Sequence, residues 1–85
     1  NDNAKAIEYC DKSLEILKNT NGQTEEYAEI LGQKCRYQKE LGLKYEAIAS
    51  GEESRQIFDS LNIKSAKYAE MLNDLAYAYE RKLLI

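Results

Sequence analysis

The chain has 85 residues, with 12 Lys and Arg against 15 Asp and Glu, a formal net charge of −3, and no His, Pro or Trp. The absence of His removes the commonest general base and the commonest transition-metal ligand, and an acidic balance does not attract nucleic acid or an anionic membrane. No run approaches the roughly 18 apolar residues that a membrane span needs. We therefore expect one small domain that binds neither nucleic acid nor membrane.

The first half of the chain predicts two amphipathic helices. Ala6, Cys10, Ser13 and Leu17 recur at spacings of three and four, which is typical of one buried helix face. The segment 19–22, Asn-Thr-Asn-Gly, favours a turn after this helix. A second helix should begin after the N-cap residue Thr24 and end at Gly42. Its apolar stripe consists of Leu31, Cys35 and Leu41, with Tyr27 and Tyr37 beside it.

The second half predicts two further helices. The third carries Ile48, Ile57, Phe58 and Leu61, and it contains Ser50-Gly51 at its centre. A capping box from Ser50 to Glu53 could begin a new helix there, but we predict one continuous helix in which Gly51 lets a neighbour approach closely. The fourth helix is capped by Ser65, and its predicted stripe comprises Tyr68, Leu72, Leu75, Ala76, Tyr79 and Leu83.

An internal repeat of 41 residues relates the two halves. When the sequence is shifted by 41 without a gap, ten of the 44 aligned pairs are identical. The densest match places residues 27–31, Tyr-Ala-Glu-Ile-Leu, on residues 68–72, Tyr-Ala-Glu-Met-Leu. The capping residues Thr24 and Ser65 are also 41 apart. Such periodicity indicates a helical repeat, in which each unit buries its apolar face against its neighbours.

The two cysteines, Cys10 and Cys35, have neither the spacing nor the His partners of a zinc site. Two cysteines are also too few for a disulfide scaffold. We expect both to pack in the core, with a Cys10–Cys35 bridge or a redox role as the alternatives. This usage favours a reducing, cytoplasmic location.

The fourth predicted helix contains the pattern Leu72-x-x-Leu75-Ala76-x-x-Tyr79. This pattern matches the first-helix signature of the tetratricopeptide family, which the repeat resembles in its longer variety of about 42 residues found in kinesin light chains. Ala6-x-x-x-Cys10-x-x-Ser13 matches its second helix, whereas the central repeat, 23–63, has lost several motif positions. The resemblance implies an all-α fold of four helices, stacked as antiparallel hairpins in a solenoid segment. It divides the chain into the second helix of one repeat (1–22), a full repeat (23–63) and the first helix of the next repeat (64–85). An unrelated four-helix bundle is the alternative.

Members of this family bind peptides in a concave groove lined by the first helix of each pair. By resemblance, the outward residues are Glu29, Gly32, Gln33, Arg36 and Lys39 on one helix, and Glu70, Asn73, Asp74, Tyr77 and Arg81 on the next. The residues that we predict to bind the partner are Gln33, Arg36, Lys39, Asn73, Tyr77 and Arg81. Asn73 would hold the peptide backbone, or would be an ordinary solvated residue. Because the middle of this surface is acidic to neutral, a receptor for a chaperone's C-terminal carboxylate is not expected.

The predicted function is that of a protein-interaction module with a peptide or protein partner, no cofactor and no catalysis. No nucleophile has a base beside it, and no carboxylate pair has neighbours that would separate its two pKa values. The alternatives are a peptide-sensing segment of a larger signalling protein and a self-associating bundle. Since the 41-residue period begins on a second helix and ends on a first, we expect a window onto a longer array. Its terminal helices would then be uncovered, including the apolar end Leu83-Leu84-Ile85.

Overall fold

The chain folds into four α-helices joined by short connections. A computed structural model describes residues 2–83, with helices α1 (Asp2–Asn21), α2 (Glu25–Glu40), α3 (Lys44–Ser60) and α4 (Ala66–Leu83). The described residues contain no strand, which confirms the all-α prediction. The longest connection, 61–65, has only five residues, so each helix must turn back along the one before it.

Both predicted N-caps are formed. The hydroxyl of Thr24 accepts a hydrogen bond from the Tyr27 amide at 3.2 Å, and the Ser65 hydroxyl accepts one from the Tyr68 amide at the same distance. Each bond satisfies one of the amides that a helix leaves free in its first turn. The capping signal therefore repeats in the structure as it does in the sequence.

Helices α2 and α3 end in the same backbone motif. Gly42 has φ +78° and Asn62 has φ +56°, both in the left-handed region. After α2, the Gly42 amide donates to the Lys39 carbonyl and the Leu43 amide donates to the Gln38 carbonyl. The equivalent bonds after α3 run from Asn62 to Asp59 and from Ile63 to Phe58. This is the Schellman arrangement, which satisfies the last carbonyls of a helix and fixes the direction of the departing chain.

Helix α2 lies at the centre of the molecule and packs against each of the other three helices. Helix α4 contacts α2 and α3, whereas no described Cα atom of α1 lies within 8 Å of α3 or α4. The Ser54 hydroxyl bonds to the Ala28 carbonyl, and Ser50 bonds to Gln38. Because these partners run in opposite order along the chain, α2 and α3 are antiparallel. Gly32 lies against Met71 and Lys39 bonds to Asp74, partners in the same order, so α2 and α4 run in parallel.

The main core lies where α2, α3 and α4 meet. Phe58 and Met71 are its largest fully buried side chains, and the Tyr68 ring packs edge-on to Phe58 at a centroid distance of 5.3 Å. A smaller cluster joins Cys35, Ala47 and Ala78. Cys10 and Cys35 are both buried and free, as the core-packing prediction required.

The prediction of a continuous third helix is confirmed, because α3 runs through Ser50-Gly51 without a break. A Cβ atom added at Gly51 would lie 2.7 Å from Leu75 Cδ1 and 3.2 Å from Cys35 Sγ. Glycine is therefore required by close approach of both α4 and α2, which outweighs its low helix propensity.

The predicted buried face of α4 is partly wrong. Ala76 and Tyr79 are exposed, whereas the buried residues of this helix are Met71, Asp74, Leu75 and Ala78. Helix α4 packs on α2 and α3 only, so the side that carries Ala76 has no neighbour. The side chain of Leu83 and residues 84–85 lie outside the described part of the chain. Within the described part, no helix has the length and apolar character needed to cross a membrane.

Candidate functional site

The six predicted binding residues fall on two adjacent helices. Gln33, Arg36 and Lys39 lie on α2, while Asn73, Tyr77 and Arg81 lie on α4. Because α2 and α4 are parallel neighbours, the structure brings the two sets to one side of the molecule. They do not, however, form one continuous groove.

A buried carboxylate separates the two sets. Asp74 is only 3% exposed, and it accepts hydrogen bonds from Arg36 Nε at 3.0 Å and from Lys39 Nζ at 2.9 Å. Arg36 also contacts Glu70 at 3.4 Å. The negative charge of Asp74 raises the pKa of Arg36, and its hydrogen bond raises the pKa of Lys39. Both cations are therefore held by internal partners, and part of their bonding capacity is already used.

Two residues that were expected to face outward are buried. Asp74 is covered by its two cations, and Gly32 lies against α4, where an added Cβ would be 3.2 Å from Met71 Cβ. The space left between α2 and α4 along this stretch is only about 40 Å³, close to the volume of one water molecule. The middle of the predicted groove is thus a closed seam between two helices.

A much larger cavity opens at the C-terminal ends of α2 and α4. Its volume is about 620 Å³, and we call it the basic cavity. Its lining consists of Lys39, Glu40, Gly42, Lys44, Tyr77, Ala78 and Arg81. Three cations and one carboxylate give this lining a positive balance on a chain whose net charge is −3. The volume lies within the range of small-molecule and side-chain binding sites.

Tyr77 is the aromatic centre of the basic cavity. Its ring centroid lies 5.0 Å from Lys39 Nζ and 5.6 Å from Arg81 Cζ. Each cation is within the range of a cation–π contact, so the ring holds both side chains near the cavity. Tyr77 itself remains 45% exposed, which leaves much of the ring available to a partner. The expectation that Tyr77 lies off the apolar stripe is confirmed.

Lys44 was missed by the sequence interpretation. It begins α3, immediately after the turn at Gly42, and this turn brings it to the cavity. A cation in the first turn of a helix opposes the helix dipole, and Leu43 provides no side-chain cap to that helix. The positive charge of Lys44 at a predicted helix start, just after Gly42, was the signal in the sequence. Residues that conflict with their local structure often have a functional role.

The other two predicted residues lie elsewhere. Gln33 lines the closed seam and a separate space between α1 and α2. Asn73 is exposed one turn before Tyr77 and does not line the basic cavity. The structure therefore brings Lys39, Tyr77 and Arg81 together, with Lys44 added.

The described residues do not offer metal or thiolate chemistry. They contain no group of three His, Cys, Asp or Glu side chains placed to hold a metal ion. Burial raises the pKa of the Cys35 thiol to about 11, with Asp74 adding to the effect, and burial also raises the pKa of Cys10. Both thiols are therefore protonated near neutral pH, where a thiol is a weak nucleophile.

Neither a protein-family model, nor a curated protein, nor a solved structure matches this chain. A function for the chain must accordingly be argued from the geometry of its surfaces.

Proposed function

We propose that the chain is a protein-interaction module of tetratricopeptide-like solenoid type. The pattern of helix contacts supports this architecture. Helix α1 touches only α2, and α2 touches the next helices in turn. A closed four-helix bundle would bring the first and last helices together, whereas a solenoid leaves them apart. The small residues at Ala47, Gly51 and Ser54, all buried on α3, fit the close helix packing of such a repeat.

The binding site of the proposed module is the basic cavity, and its ligand is an acidic group on a peptide or protein partner. The observation that carries this proposal is that Lys39 and Arg81 contact the exposed ring of Tyr77, while Lys44 lines the same cavity. Arginine and lysine bind carboxylates through charge-assisted hydrogen bonds. Tyrosine adds a rigid contact area with little loss of conformational entropy.

This site lies beyond the acidic-to-neutral middle of the α2 and α4 surface. Glu70 and Asp74 lie in that middle region, so the acidic group of a partner would be repelled there and attracted to the basic cavity. Arg36 contributes indirectly, since it shares Asp74 with Lys39. Asn73 would contact only a partner that extends one turn beyond the cavity. The two free thiols favour a reducing, cytoplasm-like location as part of the same proposal.

The proposal is tested with an immobilised peptide array in which each acidic peptide is paired with its Asn/Gln counterpart. We expect the chain to bind acidic peptides and to lose most binding when Asp and Glu are replaced by the amides. We expect Lys44→Gln, Arg81→Gln and Tyr77→Ala each to weaken binding about three- to tenfold. The interaction should also weaken as salt increases, because dissolved ions screen the attraction between a charged partner and a cavity that opens to solvent.

Lys12→Gln is the matched control, because Lys12 is an exposed lysine on α1, away from the cavity. It should leave peptide binding unchanged. Asn73→Ala is an additional variant that reports whether the partner extends past Tyr77. Equal binding of acidic and amide peptides would contradict the proposal, and so would an equal loss of binding in Lys12→Gln.

A further inference from the structure

The cations that line the basic cavity differ in how far other side chains neutralise them. Lys39 Nζ lies 2.9 Å from the Asp74 carboxylate and 3.4 Å from that of Glu40. These contacts belong to one network in which three cations face three carboxylates: Arg36, Lys39, Lys67, Glu40, Glu70 and Asp74. Because the charges of this network cancel, Lys39 adds little net charge to the cavity.

Lys44 and Arg81 are the cations of the cavity whose charge is not cancelled. Among the residues that the structure describes, neither forms an ion pair or donates a hydrogen bond through its side chain. Lys44 Nζ lies 5.6 Å from the centroid of the Tyr45 ring, and Arg81 Cζ lies 5.6 Å from that of the Tyr77 ring. An aromatic ring attracts a cation without cancelling its charge. The excess positive charge of the cavity is therefore that of two cations.

These two cations reach the cavity from different helices. Lys44 begins α3 directly after the turn at Gly42, and Arg81 lies in the last turn of α4. Both side chains line the cavity, so a group bound inside it has a cation on two sides. The guanidinium has five N–H donors and the ammonium has three. A ligand that uses both needs several acceptor atoms and more than a single negative charge.

A phosphate monoester meets this requirement better than a carboxylate does. A carboxylate has a single charge and two oxygens, and a bidentate contact with Arg81 would use both of them. Lys44 would then have no ionic partner. A phosphorylated side chain carries a charge of about −1.5 to −2 at pH 7 and three strong acceptor oxygens. It can therefore balance both cations, with an oxygen left for Lys44.

The size and aromatic wall of the cavity fit a side chain that carries the phosphate. The cavity volume of about 620 Å³ exceeds what a phosphate group alone would fill. The Tyr77 ring, 45% exposed, offers a flat surface beside Arg81 to the rest of that side chain. An extended polyanion such as nucleic acid or an anionic membrane would be repelled by a chain whose net charge is −3. A single phosphate on a peptide is therefore the favoured ligand.

We infer that the basic cavity binds a phosphorylated side chain of the partner, with Arg81 and Lys44 holding the phosphate and Tyr77 contacting the remainder of the side chain. This inference rests on the proposed function and narrows its acidic group to a phosphate monoester. Phosphorylation of the partner then controls how tightly it binds, because the modification supplies the second negative charge.

The first test is an NMR titration of the chain with three small anions at about pH 7.5. Phenyl phosphate is compared with phenyl sulfate, which has the same shape and a single negative charge, and with phenylacetate, which carries a carboxylate. We expect phenyl phosphate to shift the amide resonances of Gly42, Lys44 and Tyr77, and to bind about three- to tenfold more tightly than the other two. The resonance of Lys12, on α1 and outside the cavity lining, should not move.

The outcomes of this titration separate the inference from the proposed function. Equal binding of the three anions at the cavity would overturn the inference and leave the proposed function standing. If none of the three shifts the cavity resonances, both fail. Tighter binding of phenyl sulfate than of phenyl phosphate would also overturn the inference, since it would show that the second charge does not contribute.

The same titration at about pH 5.5 tests the charge of the ligand. The second pKa of a phosphate monoester is about 6, so most of the phenyl phosphate then carries a single negative charge. The charged or titratable groups that line the cavity are Lys39, Glu40, Lys44, Tyr77 and Arg81, and the chain has no His. Phenyl sulfate keeps its charge and reports any change in the protein itself. We expect the preference for phosphate to fall to about twofold or less, and an unchanged preference would overturn the inference.

Substitutions at the cavity should change the preference in opposite directions. Lys44→Gln and Arg81→Gln each remove one uncancelled cation, so each should reduce the preference for phenyl phosphate over phenyl sulfate. Glu40→Gln removes a carboxylate whose side chain is 52% exposed, so it should strengthen phenyl phosphate binding about two- to threefold. Glu53→Gln, an exposed position on α3 outside the cavity lining, is the matched control. An equal effect of Glu53→Gln and Glu40→Gln would overturn the assignment of the cavity.

The final test identifies the source of the phosphate. Degenerate peptides with a fixed central phosphoserine or phosphotyrosine are compared with the same peptides carrying Ser, Tyr, Glu or Gln there. A gain of about threefold or more over the Glu peptide for either phosphopeptide supports the inference, and a gain for neither overturns it. Phosphatidylcholine vesicles that contain phosphatidic acid present the same group on a membrane. Binding to these vesicles that matches or exceeds binding to the phosphopeptides would overturn the peptide source.

Discussion

Gly51 and Asp74 restrict how α2, α3 and α4 pack together. Gly51 does so because it has no side chain, and Asp74 because its charge is buried. Gly51 lets Leu75 and Cys35 approach α3 from two directions. Asp74 is a buried carboxylate with two cationic partners. The net contribution of such a group to stability is small, but loss of either partner leaves charge poorly compensated. Asp74 holds Lys39 at the edge of the basic cavity, so it is a positioning residue for the proposed site.

At the residue scale, Gly51→Ala should destabilise the protein by about 1 to 2 kcal/mol. Alanine favours the helix by about 1 kcal/mol, but its Cβ would overlap Leu75 and crowd Cys35, and neither can move freely in the core. Gly22→Ala is the matched control. Its nearest neighbours are atoms of Lys18 at 3.6 Å, so we expect no loss and a gain of up to about 0.5 kcal/mol. Urea unfolding of both variants measures the difference, and a more stable Gly51→Ala protein would contradict the close approach.

At the element scale, the ends of α2 and α3 show one backbone motif built with two different residues. Glycine adopts the left-handed conformation at position 42 without strain, whereas Asn62 adopts it with a Cβ atom. Both turns place an apolar residue, Leu43 or Ile63, directly after the left-handed position, and Ile63 packs against the main core. The direction in which α3 and α4 leave their turns therefore depends on these two residues.

We predict that substitutions at the two turns have opposite signs. Gly42→Ala should destabilise the protein by about 1 kcal/mol, because a Cβ in the left-handed region is strained. Asn62→Gly should stabilise it by roughly 0.5 kcal/mol for the same reason. Chemical denaturation with an unchanged m-value measures both effects. Equal signs for the two substitutions would show that φ does not dominate at these positions.

At the scale of the whole molecule, α3 and α4 are joined along their exposed edge by two tyrosine–carboxylate hydrogen bonds. The Tyr68 hydroxyl donates to Asp59 at 2.8 Å, and the Tyr79 hydroxyl donates to Glu52. The hydrogen bond from Tyr79, and then Arg55, lowers the pKa of Glu52 below its ordinary value of 4.5. The bond from Tyr68 lowers the pKa of Asp59 below 3.8. The same bonds raise the pKa of each tyrosine above 10.0.

These shifts predict a stability plateau that is lost at both pH extremes. A lowered carboxylate pKa contributes stability that is complete above the ordinary pKa and is lost as the pH falls through the folded value. A raised tyrosine pKa contributes stability that is complete below pH 10.0 and is lost as the pH rises through the folded value. The Tm should therefore fall below about pH 4.5 and above about pH 10.

Replacement of both hydroxyls tests this linkage. The double variant Tyr68→Phe, Tyr79→Phe should have a lower Tm at neutral pH and a shallower fall toward each extreme, while the Tyr68 ring can still pack on Phe58. Tyr45→Phe removes an exposed hydroxyl on α3 away from this edge and should leave the profile unchanged. Thermal unfolding by circular dichroism between pH 3 and pH 11 gives the profiles. Identical slopes for the double variant and the original chain would contradict the prediction.

Local rules determined much of the fold. Spacings of three and four residues predicted all four helices, and the capping residues Thr24 and Ser65 fixed where two of them begin. The end of α2 at Gly42 and the continuous helix through Gly51 were also predicted from the sequence. Each of these features depends on side chains within one or two turns of each other, so the amino-acid sequence contains the necessary information.

The candidate site was only partly predictable. Tyr77 could be assigned to the surface because it lies off the apolar stripe of α4. The burial of Asp74 could not be predicted, since it depends on Arg36 and Lys39 reaching it from a helix more than thirty residues earlier. Lys44 lines the cavity only because of the direction in which the chain leaves the turn at Gly42. Contacts between helices, rather than periodicity within one helix, determined which charges share a cavity.

The amino-acid sequence by itself determined the helices, their caps and a repeat of 41 residues, because these follow from short-range backbone and side-chain preferences. Only the tertiary structure decided which repeat positions are covered. Ala28 is fully buried and the identical Ala69 is exposed, although both follow the same capped helix start. The physical reason is the number of neighbours: α2 packs against three helices and α4 against two. Burial is a property of the helices that surround a residue, and identical sequences acquire different surfaces when those helices differ.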